Sequence, residues 1–142
     1  MKKYTVLYAD PPWRYRNRPN GRSPESHYPT MKTEDICALP IQTLAAEDCA
    51  LFLWVTMPML FEAQKVLAAW GFVWVKQNRK GSGIFWGMGY WTRANAELCL
   101  LATRGRPQRR AKNIHQVIIS PVEEHSKKPE EARRRIEALL GD

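Results

Sequence analysis

An aspartate, two prolines and a tryptophan, Asp10-Pro11-Pro12-Trp13, close an apolar run, Tyr4-Thr5-Val6-Leu7-Tyr8-Ala9. The run has the length and branching of a buried strand. A strand that stops at Asp-Pro-Pro leaves a carboxylate at its carboxyl end, where open α/β sheets bind ligands. Each proline fixes φ and lacks an N–H, so the carbonyls of Pro11 and Pro12 are expected to be rigid, with few donors competing for them. Trp13 adds a flat π-surface. A carboxylate, a stiff carbonyl and a flat ring suit a planar heterocycle that carries an exocyclic amine. The amine would donate its hydrogens to Asp10 and to a proline carbonyl while the ring stacks on Trp13. The same residues also fit a plainer structure, a strand and a Pro-rich turn with Trp13 capping the core.

The elements that would position this turn follow from the apolar pattern. Strands are predicted over Tyr4–Ala9, Ala50–Thr56, Phe72–Lys76, Leu98–Thr103 and Val117–Ser120. Their continuous rather than alternating apolar character predicts a sheet covered by helices on both faces. A helix is predicted from Pro58 to Trp70, stopped by Gly71, with Leu60, Ala63, Leu67 and Trp70 on one face. A shorter one is predicted over Thr33–Ala38. The last begins at Pro129, with Glu130 and Glu131 in its first turn and Ala132, Ile136, Leu139 and Leu140 inward. Strands and helices alternating at this spacing predict an α/β sheet of the nucleotide-binding kind.

Three connecting segments carry chemistry of their own. The segment 14–27 holds Arg14, Arg16, Arg18 and Arg22 and leaves the Asp-Pro-Pro-Trp turn directly. The segment 104–115 opens with Arg104, Arg106, Arg109, Arg110 and Lys112, five cations in nine residues. Such runs are either solvated faces or contacts to a phosphate backbone; their exit from carboxyl ends of predicted strands favours the second. Charge alone cannot read bases. Between Asn78 and Asn95, four glycines alternate with Phe85, Trp86, Tyr90 and Trp91. This is either a packed turn or a wall on which flipped-out bases stack. Gly81-x-Gly83 lacks the third glycine of a dinucleotide fingerprint.

The 142 residues suit one domain, with enough chain for a core without disulfides. A net charge of +8, from 22 Lys+Arg against 14 Asp+Glu, favours a polyanionic partner. Cys37, Cys49 and Cys99 form no C-x-x-C, and His27, His115 and His125 show no ligand spacing, so no metal site is predicted. Asp10 interrupts the first apolar stretch too early for a signal peptide, and no run reaches a membrane-spanning length. The expectation is a cytoplasmic protein in a reducing compartment, without a membrane.

Further motifs join the first: Tyr28-Pro29-Thr30-Met31, Phe52-Leu53-Trp54-Val55-Thr56, Gly89-Tyr90-Trp91-Thr92-Arg93, Glu97-Leu98-Cys99-Leu100-Leu101-Ala102 and Glu124-His125-Ser126-Lys127-Lys128-Pro129. In that order and spacing the set resembles the DPPW-type S-adenosylmethionine-dependent adenine N(6)-methyltransferases, most closely the compact phage-like branch. That family takes in bacterial and phage DNA-adenine methylases and the catalytic subunit of the eukaryotic mRNA adenosine methyltransferase. The resemblance runs from Tyr4 to Leu140. It implies a Rossmann-like methyltransferase fold in permuted order, with a mostly parallel sheet.

By resemblance, Asp10 and the Pro11 and Pro12 carbonyls hold the adenine amine, with Asp10 also near the amino group of the cofactor, S-adenosylmethionine. Trp13 and Tyr28 line the target base, and Lys128 faces the methionine carboxylate, with His125 and Ser126 in the same loop. Glu97 matches a pocket acid that organises the loop beneath the base. Trp91 and the cations Arg104, Arg106, Arg109 and Arg110 are expected to meet the substrate. The expected partner is nucleic acid, DNA before RNA. The competing functions are the same reaction on RNA and a non-catalytic nucleic-acid-binding module. The resemblance also implies a hydrophobic strand and a Trp/Gly/Asn-bearing tail beyond the Lys-Pro helix, for which this chain has no counterpart. The expectation is therefore a single, C-terminally incomplete domain that binds cofactor weakly and can self-associate through an open sheet edge.

Overall fold

The computed structural model describes residues 2–15, 29–65, 72–77 and 95–141. Among them the apolar runs form five strands: β1 (Tyr4–Ala9), β2 (Ala45–Val55), β3 (Phe72–Gln77), β4 (Ala96–Arg104) and β5 (Val117–Pro121). They make one sheet in the order β1-β2-β4-β3-β5. β1 runs parallel to β2, and β3 to β5, while β4 is antiparallel to both of its neighbours. Four strands therefore share one direction and the fifth opposes them from the middle of the sheet.

The direction of β4 decides what lies at each end. Leu98 pairs with Val55 at the carboxyl end of β2, whereas Arg104 pairs with Cys49 near its amino end. The start of β4 thus joins the carboxyl ends of β1, β2, β3 and β5, and its far end leaves on the opposite side.

Side chains alternate between two cores, which is why the strands read as continuous apolar runs. On one face Leu53, Val55, Leu98 and Leu100 pack with Trp13, Ile36, Met59 and Ala63. Ile36 belongs to helix α1 (Thr33–Cys37), and Ala63 to α3 (Leu60–Gln64), which follows a 3-10 turn at Met57–Met59. On the other face Ala50, Phe52, Trp54, Cys99 and Ile118 pack with Ala132 and Ile136 of α4 (Glu130–Leu140). Pro129 stands at the N-cap of α4. A short helix, α2 (Ile41–Leu44), leads into β2. Four residues are too few to leave a periodic signature, and it was not expected. The second half of the helix predicted over Pro58–Trp70 lies outside the described residues.

One expectation is corrected here. β1 is not buried: none of its six residues falls in the buried class, and Tyr4 and Tyr8 are 42% and 43% exposed. The reason is its place in the sheet, where among the described strands it pairs with β2 alone.

Candidate active site

Asp10 follows the last residue of β1, and strand alternation puts it on the same face as Tyr8, the face covered by α4. Its counterpart across the sheet is Lys128, next to the N-cap of α4, so helix packing sets the position of the lysine. The Lys128 Nζ lies 3.2 Å from Asp10 Oδ2 and 3.1 Å from Oε2 of Glu97 in β4. It also donates to the Ser126 carbonyl at 3.4 Å and sits 5.6 Å above the Trp54 ring. Strand pairing thus brings together three residues far apart in sequence.

Burial is uneven across this triad, and the unevenness is informative. The side chains of Lys128 and Glu97 are 14% and 11% exposed, whereas that of Asp10 is 42% exposed. Glu97 and Lys128 form the floor, and Asp10 is the acid that faces outward. Burial pushes the Asp10 carboxyl above the ordinary aspartate range, with Lys128 opposing and the nearby Glu97 charge adding to the rise. For Lys128, burial works against the charge, but Glu97 and Asp10 outweigh it and hold the ammonium above its usual value. Two carboxylates around one ammonium carry a net charge of −1. That charge would fit S-adenosylmethionine, the cofactor that the resemblance implies, whose sulfonium, ammonium and carboxylate sum to +1.

The turn itself is built differently from the sequence reading. Trp13 is 4% exposed, and its indole N–H donates to the Trp54 carbonyl at 2.9 Å. The ring belongs to the core beneath the turn and offers no open face to a base, which corrects the stacking expectation in favour of the capping one. The carbonyls also have competition. Pro11 O accepts the Trp13 N–H at 2.9 Å, and Pro12 O accepts the Met31 N–H at 2.7 Å. The Met31 carbonyl in turn accepts the Arg14 N–H at 2.9 Å, a parallel bridge across the turn. Proline removes its own donor but not those of a neighbouring segment. What is left for a ligand is the second lone pair of each carbonyl.

His125 and Ser126 lie in the loop before Lys128, both exposed, with Ser126 Oγ 2.9 Å from His125 Nδ1. Ser126 has φ 62°, a left-handed conformation uncommon without glycine, and its carbonyl is the one that receives Lys128. Tyr28, Trp91, most of the basic segment 14–27 and the glycine-aromatic segment lie outside the described residues.

Arg104, Arg106, Arg109 and Arg110 are not brought to this site. Glu97 and Arg104 are seven residues apart along one strand, roughly 23 Å at about 3.3 Å per residue. Their expected placement assumed that the strand before Arg104 ran with its neighbours, and the antiparallel β4 sends them to the opposite end. There Arg104 donates to the Gln42 carbonyl, the Arg106 N–H to Asp48 Oδ1 at 2.7 Å, and the Arg110 N–H to the Leu139 carbonyl at the end of α4.

Three residues not singled out in the sequence prove to shape the site. Trp54 Nε1–H donates to the Tyr8 hydroxyl at 2.7 Å, and burial raises that phenol to about 12. Tyr8 stands two positions before Asp10, a period-two relation visible in the sequence once the strand is accepted. Ser120, near the carboxyl end of β5, has a buried hydroxyl with no hydrogen-bond partner among the described residues. No local pattern marks a lone serine in a strand.

A model of the MT-A70 family matches residues 4–142. The chain belongs to the MT-A70 family. Among its relatives is the Type II methyltransferase M.MunI of Mycoplasma sp, 28% identical over 148 residues, which cover 90% of this chain and 64% of that protein. The N(6)-adenosine-methyltransferase catalytic subunit METTL3 of Homo sapiens is 32% identical over 147 residues, 98% of this chain and 24% of that protein. The MT-A70-like N(6)-adenosine-methyltransferase of Arabidopsis thaliana is 30% identical over 144 residues, 96% of this chain and 20% of that one. The chain thus spans less than two thirds of each. Membership in the MT-A70 family agrees with the resemblance carried by Asp10-Pro11-Pro12-Trp13 and the motifs that follow it. Among the described residues no helix is long and apolar enough to cross a membrane.

Proposed function

We propose that this chain transfers a methyl group from S-adenosylmethionine to the exocyclic amine of adenine in DNA. The observation that carries the reading is the outward-facing Asp10 carboxylate, held over the carboxyl ends of the strands by the Lys128–Glu97 pair. Family membership and the names of the relatives support the adenine N(6) chemistry. The five described strands fit a permuted Rossmann-like sheet.

The adenine amine is a poor nucleophile because its lone pair is delocalised into the ring. When bound, S-adenosylmethionine supplies an electrophilic methyl group on sulfur. Asp10 Oδ1 or Oδ2 accepts one amine hydrogen, and the second lone pair of the Pro11 carbonyl accepts the other. Both bonds draw the nitrogen towards tetrahedral geometry and strengthen as it gains positive charge, so they favour the transition state over the ground state. Lys128 opposes the rise that burial imposes on the Asp10 carboxyl, and Glu97 shares the ammonium with Asp10. Asp10 also fixes the amine in line with the methyl group, so positioning supplies the remaining acceleration without a strong base. The proton of the methylated amine leaves past Asp10, the exposed member of the triad.

The test is incorporation of labelled methyl groups into matched DNA and RNA oligonucleotides by the unsubstituted chain and by Asp10→Ala. Transfer into DNA that falls at least about a hundredfold in the variant, the scale of losing one transition-state partner, supports the reading. Transfer into RNA alone moves the substrate, and binding without transfer to either leaves the non-catalytic module.

A further inference from the structure

The chain leaving the Asp10 turn borders a second feature, a groove of about 740 Å³ on the opposite face of the sheet from Lys128. Arg14 and Tyr15, directly after Trp13, form one wall. Pro58 and Phe61, on the segment that leaves the carboxyl end of β2, form the other. The Tyr15 hydroxyl and Thr56 Oγ1 stand 2.6 Å apart and tie the walls together at the end nearest the site. Tyr15 lies five residues after Asp10, and Thr56 directly follows β2, so the groove opens at the same end of the sheet as Asp10.

Its chemistry is specific. Phe61 is 76% exposed, although Met59 and Ala63 beside it are buried in the core. Lys32 and Lys65 join Arg14 around it, against Glu34 and Glu62. Lys65 and Glu62 pair at 2.8 Å, and two groups of the Arg14 guanidinium are held by Thr30, which fixes its plane at the rim. Three cations against two carboxylates leave the groove positive, in a chain that is itself at +8.

We propose that this groove holds the unpaired nucleotides that flank the target adenine, with a base stacked on Phe61 and backbone phosphates against Arg14, Lys32 and Lys65. The proposal rests on the adenine-methylating reading above. An aromatic ring with cations beside it is the recognition chemistry of single-stranded nucleic acid, because every base has a π-face and every linkage a charge. A base that reaches Asp10 must leave its stack, so its neighbours lose their own stacking partners next to the turn. Phe61 replaces one of them. A second copy of the chain docked through Phe61 and Met57 is disfavoured, because a two-fold interface would face the same cations against each other.

Phe61→Ala and the double variant Lys32→Gln/Lys65→Gln test this in the full chain, with a labelled single-stranded oligodeoxynucleotide containing one central adenine as probe. Fluorescence anisotropy reads binding, and labelled methyl incorporation is compared between that oligonucleotide and deoxyadenosine monophosphate, which has no flanking base to fill the groove. Phe61→Ala is expected to weaken oligonucleotide binding about fivefold or more, the lower range for one stacked base. It should raise KM for the oligonucleotide while leaving kcat and mononucleotide turnover unchanged. The lysine double variant should flatten the log–log salt dependence by about 0.7 per lost phosphate contact. Unchanged anisotropy and KM in Phe61→Ala overturn the proposal while leaving the methyltransferase reading intact. Failure of the unsubstituted chain to methylate either substrate sinks that reading instead, and the anisotropy arm still decides the groove. If Phe61→Ala alters only the sedimentation of the protein, the groove is a contact between copies and the proposal falls.

Discussion

The indole N–H of Trp13 donates to the main-chain carbonyl of Trp54 at 2.9 Å, joining the turn that bears Asp10 to the central strand β2. The bond makes the Asp10 turn an extension of the core, so the position of the carboxylate depends on a buried side chain.

Trp13→Phe separates this bracing role from a stacking one, since phenylalanine keeps a flat ring but loses the donor and part of the buried ring volume. The expected result is a loss of about 1–3 kcal/mol of stability from the lost hydrogen bond and the smaller ring, together with reduced kcat. Chemical denaturation and labelled methyl incorporation read the two effects. Retention of both stability and kcat by the phenylalanine variant would return Trp13 to the stacking role.

The acid limb of activity should report on Asp10. The raised carboxyl means that, between the ordinary aspartate range and its folded value, the folded chain holds a proton the unfolded chain has released. Stability from this group is present at low pH and is lost as pH rises through that window. Activity does the reverse, because transfer needs the carboxylate. Glu97→Gln removes a like charge from Asp10, so the acid limb of kcat/KM should move to lower pH. A profile that shifts upward or stays fixed would remove Asp10 from that limb.

Lys128→Met leaves two carboxylates facing each other with no cation between them. A loss of about 3 kcal/mol is expected, the scale for breaking a buried ion pair from one side. Methyl transfer should fall further than in Glu97→Gln, because the uncompensated Asp10 then binds a proton more readily. The raised Lys128 value also places the stabilisation of the triad below the ordinary lysine range, to be lost as pH climbs through the folded value. Thermal denaturation across alkaline pH, with and without the substitution, checks this: the difference in Tm should shrink as pH rises.

The cations at the other end of the sheet should be dispensable for substrate. Arg109→Gln with Lys112→Gln is expected to leave the salt dependence of oligonucleotide binding unchanged. A slope flattened by about one unit per residue would restore a duplex contact at that end.

How much of this was legible in the sequence varies with the range of the interaction. Strand positions came from short apolar runs: β1 spans the predicted residues, and β3, β4 and β5 extend the predicted ones by one or two at an end. The α4 helix was marked by Pro129, the acidic first turn and Gly141, each acting within a few residues. Direction within the sheet was not legible, because Glu97–Arg104 reads the same whichever way its neighbours run. That one property misplaced the basic run at Arg104. Asp10 and Lys128 were found separately, by type and by resemblance, but their pairing through Glu97 exists only after β1, β2 and β4 have met and α4 has packed on them. The competition for the Pro12 carbonyl was hidden for the same reason, since its donor sits at Met31, beyond a long segment.

The opposed direction of β4 gives the protein a free end. Gln108 is exposed on a connection whose anchors, Asp48 and Leu139, touch no member of the Asp10 triad. An exposed loop tip tolerates insertion when its backbone bonds are few. Whatever is spliced there, a fluorophore-bearing peptide, an affinity handle or a targeting domain, would ride on the molecule with a whole sheet between it and the chemistry.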